Sequence, residues 1–193
     1  MLGRKYEFKP DKTGSGWLHK LYITPRQRMH ILRWSLYILA LVVASLIQDV
    51  ILCRFSLLGG SVDLIACCIF LLAILLDPDN SAVFSLISSL LLYFSGGMPG
   101  PYGIVYITFL GSMISIFRFG FLQKNFLSTG LCTAAGVMFY ELAIYFTGLF
   151  LQQTTGANFF AFFATGAVSL LCIPIIYPCF VSIGKIGGSS WKD

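Results

Sequence analysis

The chain has 193 residues, of which 57% are hydrophobic and only 11% charged, against roughly 25% charged residues in an ordinary soluble domain. Its net charge of +5 is no nucleic-acid signature, because eight of the thirteen Lys and Arg residues precede Leu36 and no basic patch interleaved with aromatics follows. Composition excludes a soluble globular domain and leaves an all-α integral membrane protein with a polar N-terminal tail.

Residues 1–30 form that tail. Arg4, Lys5, Lys9, Lys12, Lys20, Arg26 and Arg28 are spread around Gly14-Ser15-Gly16, a composition too polar to bury a core of its own. Trp17, Leu18, Leu21 and Tyr22 between the basic clusters suit a short helix lying on anionic lipid, where each cation near the surface adds about 1 kcal/mol. A disordered juxtamembrane tail is the alternative. A cleaved signal peptide does not fit, since about thirty polar residues come first and the first apolar run ends Gln48-Asp49-Val50 without a small-residue cleavage site.

A six-helix membrane domain is expected over residues 31–184. A bilayer core of about 30 Å needs about 20 apolar residues as helix. The first span runs from about 30 to 52. The second, about 58–76, carries Asp63 near its start and stops at Asp77-Pro78-Asp79-Asn80, where proline and clustered acids end a helix. The third (81–94) and fourth (102–117) are short and joined by Ser95-Gly96-Gly97-Met98-Pro99-Gly100-Pro101. They read as two crossings of a thinned bilayer, with a re-entrant hairpin as the alternative. The fifth span, 126–151, contains Glu141, and the sixth, 159–183, contains Pro174 and Pro178. Residues 185–193 are a C-terminal tail.

Orientation follows the positive-inside rule. With the N-terminus in the cytoplasm, twelve Lys and Arg residues fall inside, including Arg118 and Lys124 in the fourth-to-fifth loop and Lys185 and Lys192 at the end, and only Arg54 falls outside. Both termini are therefore expected to be cytoplasmic, and a re-entrant third and fourth segment leaves the parity unchanged.

No catalytic constellation is visible. The two histidines, His19 and His30, lie in the tail or at its exit, and there is no HExxH, GxSxG or phosphate loop. The six cysteines (Cys53, Cys67, Cys68, Cys132, Cys172, Cys179) show no CxxC and no adjacent histidine, so they read as small buried hydrophobes, without zinc or a disulfide framework. No enzyme, metal or cofactor is expected.

The intramembrane acids are the residues most able to carry function, because a carboxylate at a span centre costs roughly 2.5–3.5 kcal/mol on insertion scales and faces a partner, cavity or pathway. Glu141 lies ten residues before Leu151, about 15 Å below the outer boundary. Tyr145 one turn on and Tyr140 alongside offer hydroxyl groups. Glu141 reads either as a substrate, proton or partner site, or as a protonated acid that glues the bundle. Asp49 and Asp63 flank the first outer loop with Arg54 between them, forming an outward polar cluster or merely sitting among headgroups, with Asp63 complementing a helix dipole. The Gly- and Pro-rich 95–101 segment is a turn or a gate. Small residues at helical spacing (Ala40 and Ala44, Ser85 and Ser89, Gly111 and Ser115, Gly130 and Ala134) permit close helix packing. The stretch Phe159-Phe160-Ala161-Phe162-Phe163 is expected to face lipid or the interface.

Several strings in order resemble MreD, the membrane component of the bacterial rod-shape machinery. Leu46-Ile47-Gln48 followed by Gly60-Ser61-Val62-Asp63-Leu64 is similar to the family's leucine-glutamine end of the first span and the proline-aspartate-leucine opening of the second. Tyr140-Glu141-Leu142 with Tyr145 resembles the fifth-span tyrosine-glutamate-leucine, and Ile173-Pro174-Ile175-Ile176-Tyr177-Pro178 resembles the end of the sixth. Val62 replaces a proline, and Ser85, Ser89, Leu90, Leu91 and Tyr93 replace a third-span pattern that ends in an acid. The resemblance covers about residues 36–183.

It implies a non-enzymatic scaffold of the cell-elongation complex in the bacterial cytoplasmic membrane. Such a protein docks a single-span MreC-like protein and, through the complex, works with MreB, RodA and a class B penicillin-binding transpeptidase in peptidoglycan synthesis and cell shape. The small-residue helix faces would then receive the partner's span, with Glu141 and Asp63 setting bundle geometry or a central pocket. Size and topology also resemble the substrate-binding S component of an energy-coupling-factor vitamin transporter, in which Ala40-xxx-Ala44 would meet the coupling subunit. On that reading, an outward pocket near Asp49, Asp63, Glu141 and residues 95–103 would hold a nutrient.

Overall fold

The computed structural model describes residues 25–54, 56–57, 60–121 and 125–186 and is almost wholly helical. The interfacial helix expected around Trp17 to Tyr22, the lipid contact of the basic tail, Lys124 and most of the C-terminal tail lie outside the described residues.

Helix α1 spans Pro25–Val50 and is followed by a 3-10 turn, Leu52–Arg54. A two-residue antiparallel pairing of β1 (Ser56–Leu57) with β2 (Gly60–Ser61) leads into α2, Leu64–Leu75. Then come α3 (Pro78–Phe94), α4 (Tyr102–Phe121) and α5 (Phe126–Phe150). The last stretch is α6 (Phe159–Ser169), a 3-10 turn (Leu170–Cys172) and α7 (Ile173–Gly184).

Four stretches are long and apolar enough to cross a membrane: Arg28–Val50, Tyr102–Phe121, Phe126–Phe150 and Gly156–Gly184. Helices α2 and α3 are not among them. The second segment was expected to open at about Leu58, yet β2 occupies Gly60–Ser61 and the helix starts only after Asp63, whose carboxylate accepts from Ala66 N at 3.0 Å as an N-cap. Twelve residues make α2 about 18 Å long. The third and fourth helices exceed their expected lengths. Pro78 sits at the start of α3, where its missing N–H costs nothing, and α4 continues to Phe121. Their 17 and 20 residues make them about 26 and 30 Å long.

Arg118, expected in a loop, lies in the last turn of α4 and is only 4% exposed. Its Nε and Nη2 meet no hydrogen-bond partner among the described residues, and Asp77 is the acid whose charge reaches it. A cation there complements the carbonyl end of the helix. The sixth segment is interrupted rather than continuous: Pro174 cannot donate to Leu170, and the backbone tightens into the 3-10 turn at that point.

The arrangement is a ring of helices around α2. Every residue from Leu64 to Ile74 is buried, and Ile69 to Ile74 are wholly enclosed; a helix that is apolar all round belongs in the middle of a bundle. It packs on α1, α3, α4, α5 and α7. Small residues make the close approaches. A Cβ on Gly111 would stand 2.4 Å from Ser85 Oγ and 3.6 Å from Ala73 Cβ, and one on Gly136 would meet Ile114 and Phe70. Ser81 Oγ donates to Gly111 O, Ser89 pairs with Thr108, and Ser115 Oγ donates to Leu76 O, so antiparallel α3 and α4 and the end of α2 are tied together. Outside the ring, α1, α4 and α5 expose aliphatic and aromatic faces such as Leu39, Val43, Phe109, Ile116, Leu131 and Phe139. That much exposed apolar surface is what lipid covers.

The bundle has two ends. One carries the chain's entry at Pro25, the α2–α3 turn, the α4–α5 connection and the end of α7. The other, the loop end, carries the α1–α2 connection, the α3–α4 turn and the α5–α6 turn, with Tyr102 Oη donating to Gln153 Oε1 across it.

Candidate functional site

Because α2 begins late, its N-terminus lies inside the bundle, below the loop end. Residues 60–63 descend to it along α6. Gly60 is obligatory there, since a Cβ would come within 2.5 Å of Thr165 N and 2.9 Å of Ala161 O, both backbone atoms that cannot swing aside. Ser61 N donates to Thr165 Oγ1 at 3.2 Å and Asp63 N to Ser169 Oγ at 2.7 Å. Ser169 in turn donates to Thr165 O, and Cys67 Sγ to Ser169 O.

Gln48, near the end of α1, ties that helix to the same point. Its Oε1 accepts from Ile65 N at 2.9 Å, and its amide lies in hydrogen-bonding reach of the Asp63 carboxyl. With Cys67 N donating to Asp63 O, the amides of Ile65, Ala66 and Cys67 in the first turn of α2 are satisfied within the chain.

Above this turn lies a cavity of about 360 Å³ that opens toward the loop end. Asp63, Gln48, Ser61 and Val62 form one wall, Tyr140, Glu141 and Ile144 of α5 another, and Ala161, Phe162 and Thr165 of α6 a third, with Gly97 and Pro99 at the rim. Glu141 is 6% exposed and Tyr140 3%. Neither the Glu141 carboxyl nor the Tyr140 hydroxyl has a hydrogen-bond partner among the described residues. The two carboxyl groups are close enough for their charges to interact, and no Lys or Arg lines the cavity.

The predicted site residues separate into two groups. Asp63 and Glu141 come together, across the contact between α2 and α5. Tyr145 does not join them: its hydroxyl donates to Gly156 O at 3.5 Å and its ring packs on Phe159 and Phe162. Asp49 and Arg54 are exposed and lie outside the cavity lining, with Ser45 Oγ donating to Asp49 at 3.5 Å. The neighbour of Asp49, Gln48, faces inward in its place. The 95–101 segment is a turn whose wall meets the cavity: Gly96 takes φ +77°, and Gly97 N donates to Leu92 O while Gly96 N donates to Tyr93 O, the Schellman ending that needs such a glycine.

No family model, curated protein or solved structure matches the chain. The site therefore rests on its own geometry. Among the described residues no group of three or more His, Cys, Asp and Glu could hold a metal.

The small-residue positions are largely consumed inside the bundle. Ala44 is buried and Ala40 half-buried against the core, and Ser85, Ser89, Gly111 and Ser115 are enclosed. Gly130 faces open space and Ala134 is half-buried. Cys67, Cys68 and Cys132 are buried, Cys172 is half-buried and Cys179 is exposed. Of the phenylalanine run, Phe159, Phe160 and Phe163 are exposed, while Phe162 turns to the cavity. Sequence reasoning missed Ser169 and Thr165, for which it held no signal. Gln48 was visible only as a polar residue near the end of an apolar run.

Proposed function

We propose that the chain is a multi-pass protein of the bacterial cytoplasmic membrane, with six spans and both termini inside, and that it acts without catalysis as an MreD-like scaffold docking a single-span MreC-like protein. The observation that carries this reading is a groove of about 290 Å³ between α1 and α3. Helix α1 leans on α2 and α7 and touches α3 where Trp34 packs on Phe84, with ring centroids 6.0 Å apart; in the groove Ile65 and Ile69 of the central helix form the floor, with Val42 and Leu46 on one side and Ser88 and Leu91 on the other. In lipid, helices associate through close packing and hydrogen bonding rather than through exclusion of water. An apolar trough with serines in its walls suits a partner's span better than a soluble ligand. Through that partner the protein would belong to the elongation complex with MreB, RodA and a class B transpeptidase. The twelve-to-one distribution of Lys and Arg supports the orientation.

The test is recovery of the single-span partner with the purified chain. Val42 and Leu91 line the groove and are half exposed. Val42→Trp and Leu91→Trp therefore fill the groove without entering the core and should reduce recovery at least about tenfold, the loss of about 1.4 kcal/mol. Leu39→Trp, also on the exposed face of α1 but outside the groove, should recover the partner normally. Equal recovery by all three refutes the placement.

A second reading is favoured by the loop-end cavity, which joins Asp63, Glu141 and the turn at Gly97 and Pro99 as a substrate-binding S component requires. The same pull-down separates the readings, because an S component brings down a multi-span coupling subunit with its ATPases instead of a single-span protein.

A further inference from the structure

The loop-end cavity has an uneven electrical balance. Asp63 is provided for: Ala66 N donates to it, Gln48 reaches it, and the N-terminus of α2 places a partial positive charge beside it. Glu141 is not. It sits on the opposite wall with its carboxyl turned to the same space, enclosed by Ile144, Phe162 and the backbone at Gly166, whose added Cβ would stand 3.7 Å from Glu141 Cγ. Buried charges in proteins are paired or coordinate a cation, and a buried acid that finds neither takes up its proton until one arrives; here no Lys or Arg is among the lining residues.

A helix N-terminus would ordinarily suggest an anion. In this cavity the N–H groups of Ile65 and Ala66 are already taken by Gln48 and Asp63, so an anion would find those two donors occupied and would meet two acids. An independent observation points the same way. Tyr140, on the cavity wall and 3% exposed, has an unpartnered hydroxyl whose oxygen can accept from an ammonium or guanidinium N–H, while its ring packs on Phe70 at a centroid distance of 6.0 Å. The rest of the lining is apolar: Val62, Ile144, Pro99 and Phe162.

We propose that this cavity binds a small organic cation, a primary ammonium or guanidinium carried on an apolar body, with Glu141 as its charge partner and the Tyr140 hydroxyl as a hydrogen-bonding contact. At about 360 Å³ the cavity falls in the range of small-molecule sites, roughly 300–1,000 Å³, and exceeds what the tip of one lysine or arginine side chain fills. The ligand is therefore a free molecule. The inference stands on the cavity alone and does not depend on whether the chain docks a single-span partner.

The test is calorimetric titration of the full chain in lipid nanodiscs with four probes: tyramine, agmatine, the neutral isostere of tyramine, 4-(2-hydroxyethyl)phenol, and the anionic 3-(4-hydroxyphenyl)propionate. At least one of the two cations should bind, and the neutral and anionic probes should bind at least about tenfold more weakly, as expected when a charge-assisted hydrogen bond is lost. Glu141→Gln keeps the shape and should weaken the cation about 10- to 100-fold; Tyr140→Phe, which keeps the ring, should weaken it less. Protection of the buried Cys67 and Cys68 thiols reports that each variant is folded. Silence from both cations, equal binding of the neutral isostere, or unchanged affinity in folded Glu141→Gln would each overturn the assignment.

Discussion

Gly60 offers a sharp test of how the cavity is built. Gly60→Ala places a methyl group 2.5 Å from Thr165 N and 2.9 Å from Ala161 O and Ala164 C, so the strand must lift from α6. Overpacking of this kind costs about 1–3 kcal/mol. The shift also strains the bonds from Ser61 N to Thr165 Oγ1 and from Asp63 N to Ser169 Oγ, each contributing about 1 kcal/mol. A net loss of about 3 kcal/mol corresponds to a fall in the unfolding midpoint of about 6–12 °C for a chain of this size.

The assay is thermal exposure of buried thiols in detergent. Cys67 and Cys68 lie in the enclosed helix α2 and react only when the bundle opens, above a baseline set by the exposed Cys179. Gly130→Ala is the control. Its Cβ would meet nothing within 4 Å in the second turn of α5, so the change should stabilise the helix by up to about 1 kcal/mol. A Gly60→Ala protein that melts with the wild type would show that β2 is not seated on α6 as described, and the cavity wall would go with it.

Gln48→Leu leaves Ile65 N without its acceptor at the N-terminus of α2, an unpaired buried donor worth about 1–3 kcal/mol; the same thiol assay should show a lowered midpoint, whereas Asp49→Leu at the exposed neighbouring position should change little. Reporters fused before Met1 and after Asp193 should be active only in the cytoplasm, and an extracellular signal from either would contradict the proposed orientation.

The helical class, most helix boundaries and the standing of Asp63 and Glu141 as intramembrane acids were legible in the sequence, because hydropathy and isolated acids in apolar runs carry strong signals; that the two acids face one cavity was suggested only by resemblance. The late start of α2 was not. Leu58, Gly59 and Gly60 continue an apolar run, and nothing local says that Gly60 must lie against the backbone of α6, a contact more than 100 residues away in sequence. Gln48 and Asp49 are equally polar neighbours, so only the rotation of α1 on α2 decides which turns inward. Tyr145 sits one turn from Glu141, but the chain's return at Gly156 and the rings of Phe159 and Phe162 draw it away. Arg118 read as a loop cation because its charge interrupts the apolar run after Phe117, although no helix-stop residue follows before Phe121.

The shortness of α2 bears on how the polypeptide enters the bilayer during synthesis. In the proposed membrane placement, a helix of about 18 Å leaves about 12 Å of a 30 Å hydrocarbon layer unspanned, and the polar descent through Ser61 and Asp63 fills the gap. Such a segment has no stable solitary life among acyl chains. It becomes tenable only when α1 brings Gln48 to its exposed amides and α6, made about a hundred residues later, supplies Ser169 and Thr165. The first half of the chain must therefore wait, incompletely settled, for the last hundred residues to emerge from the ribosome.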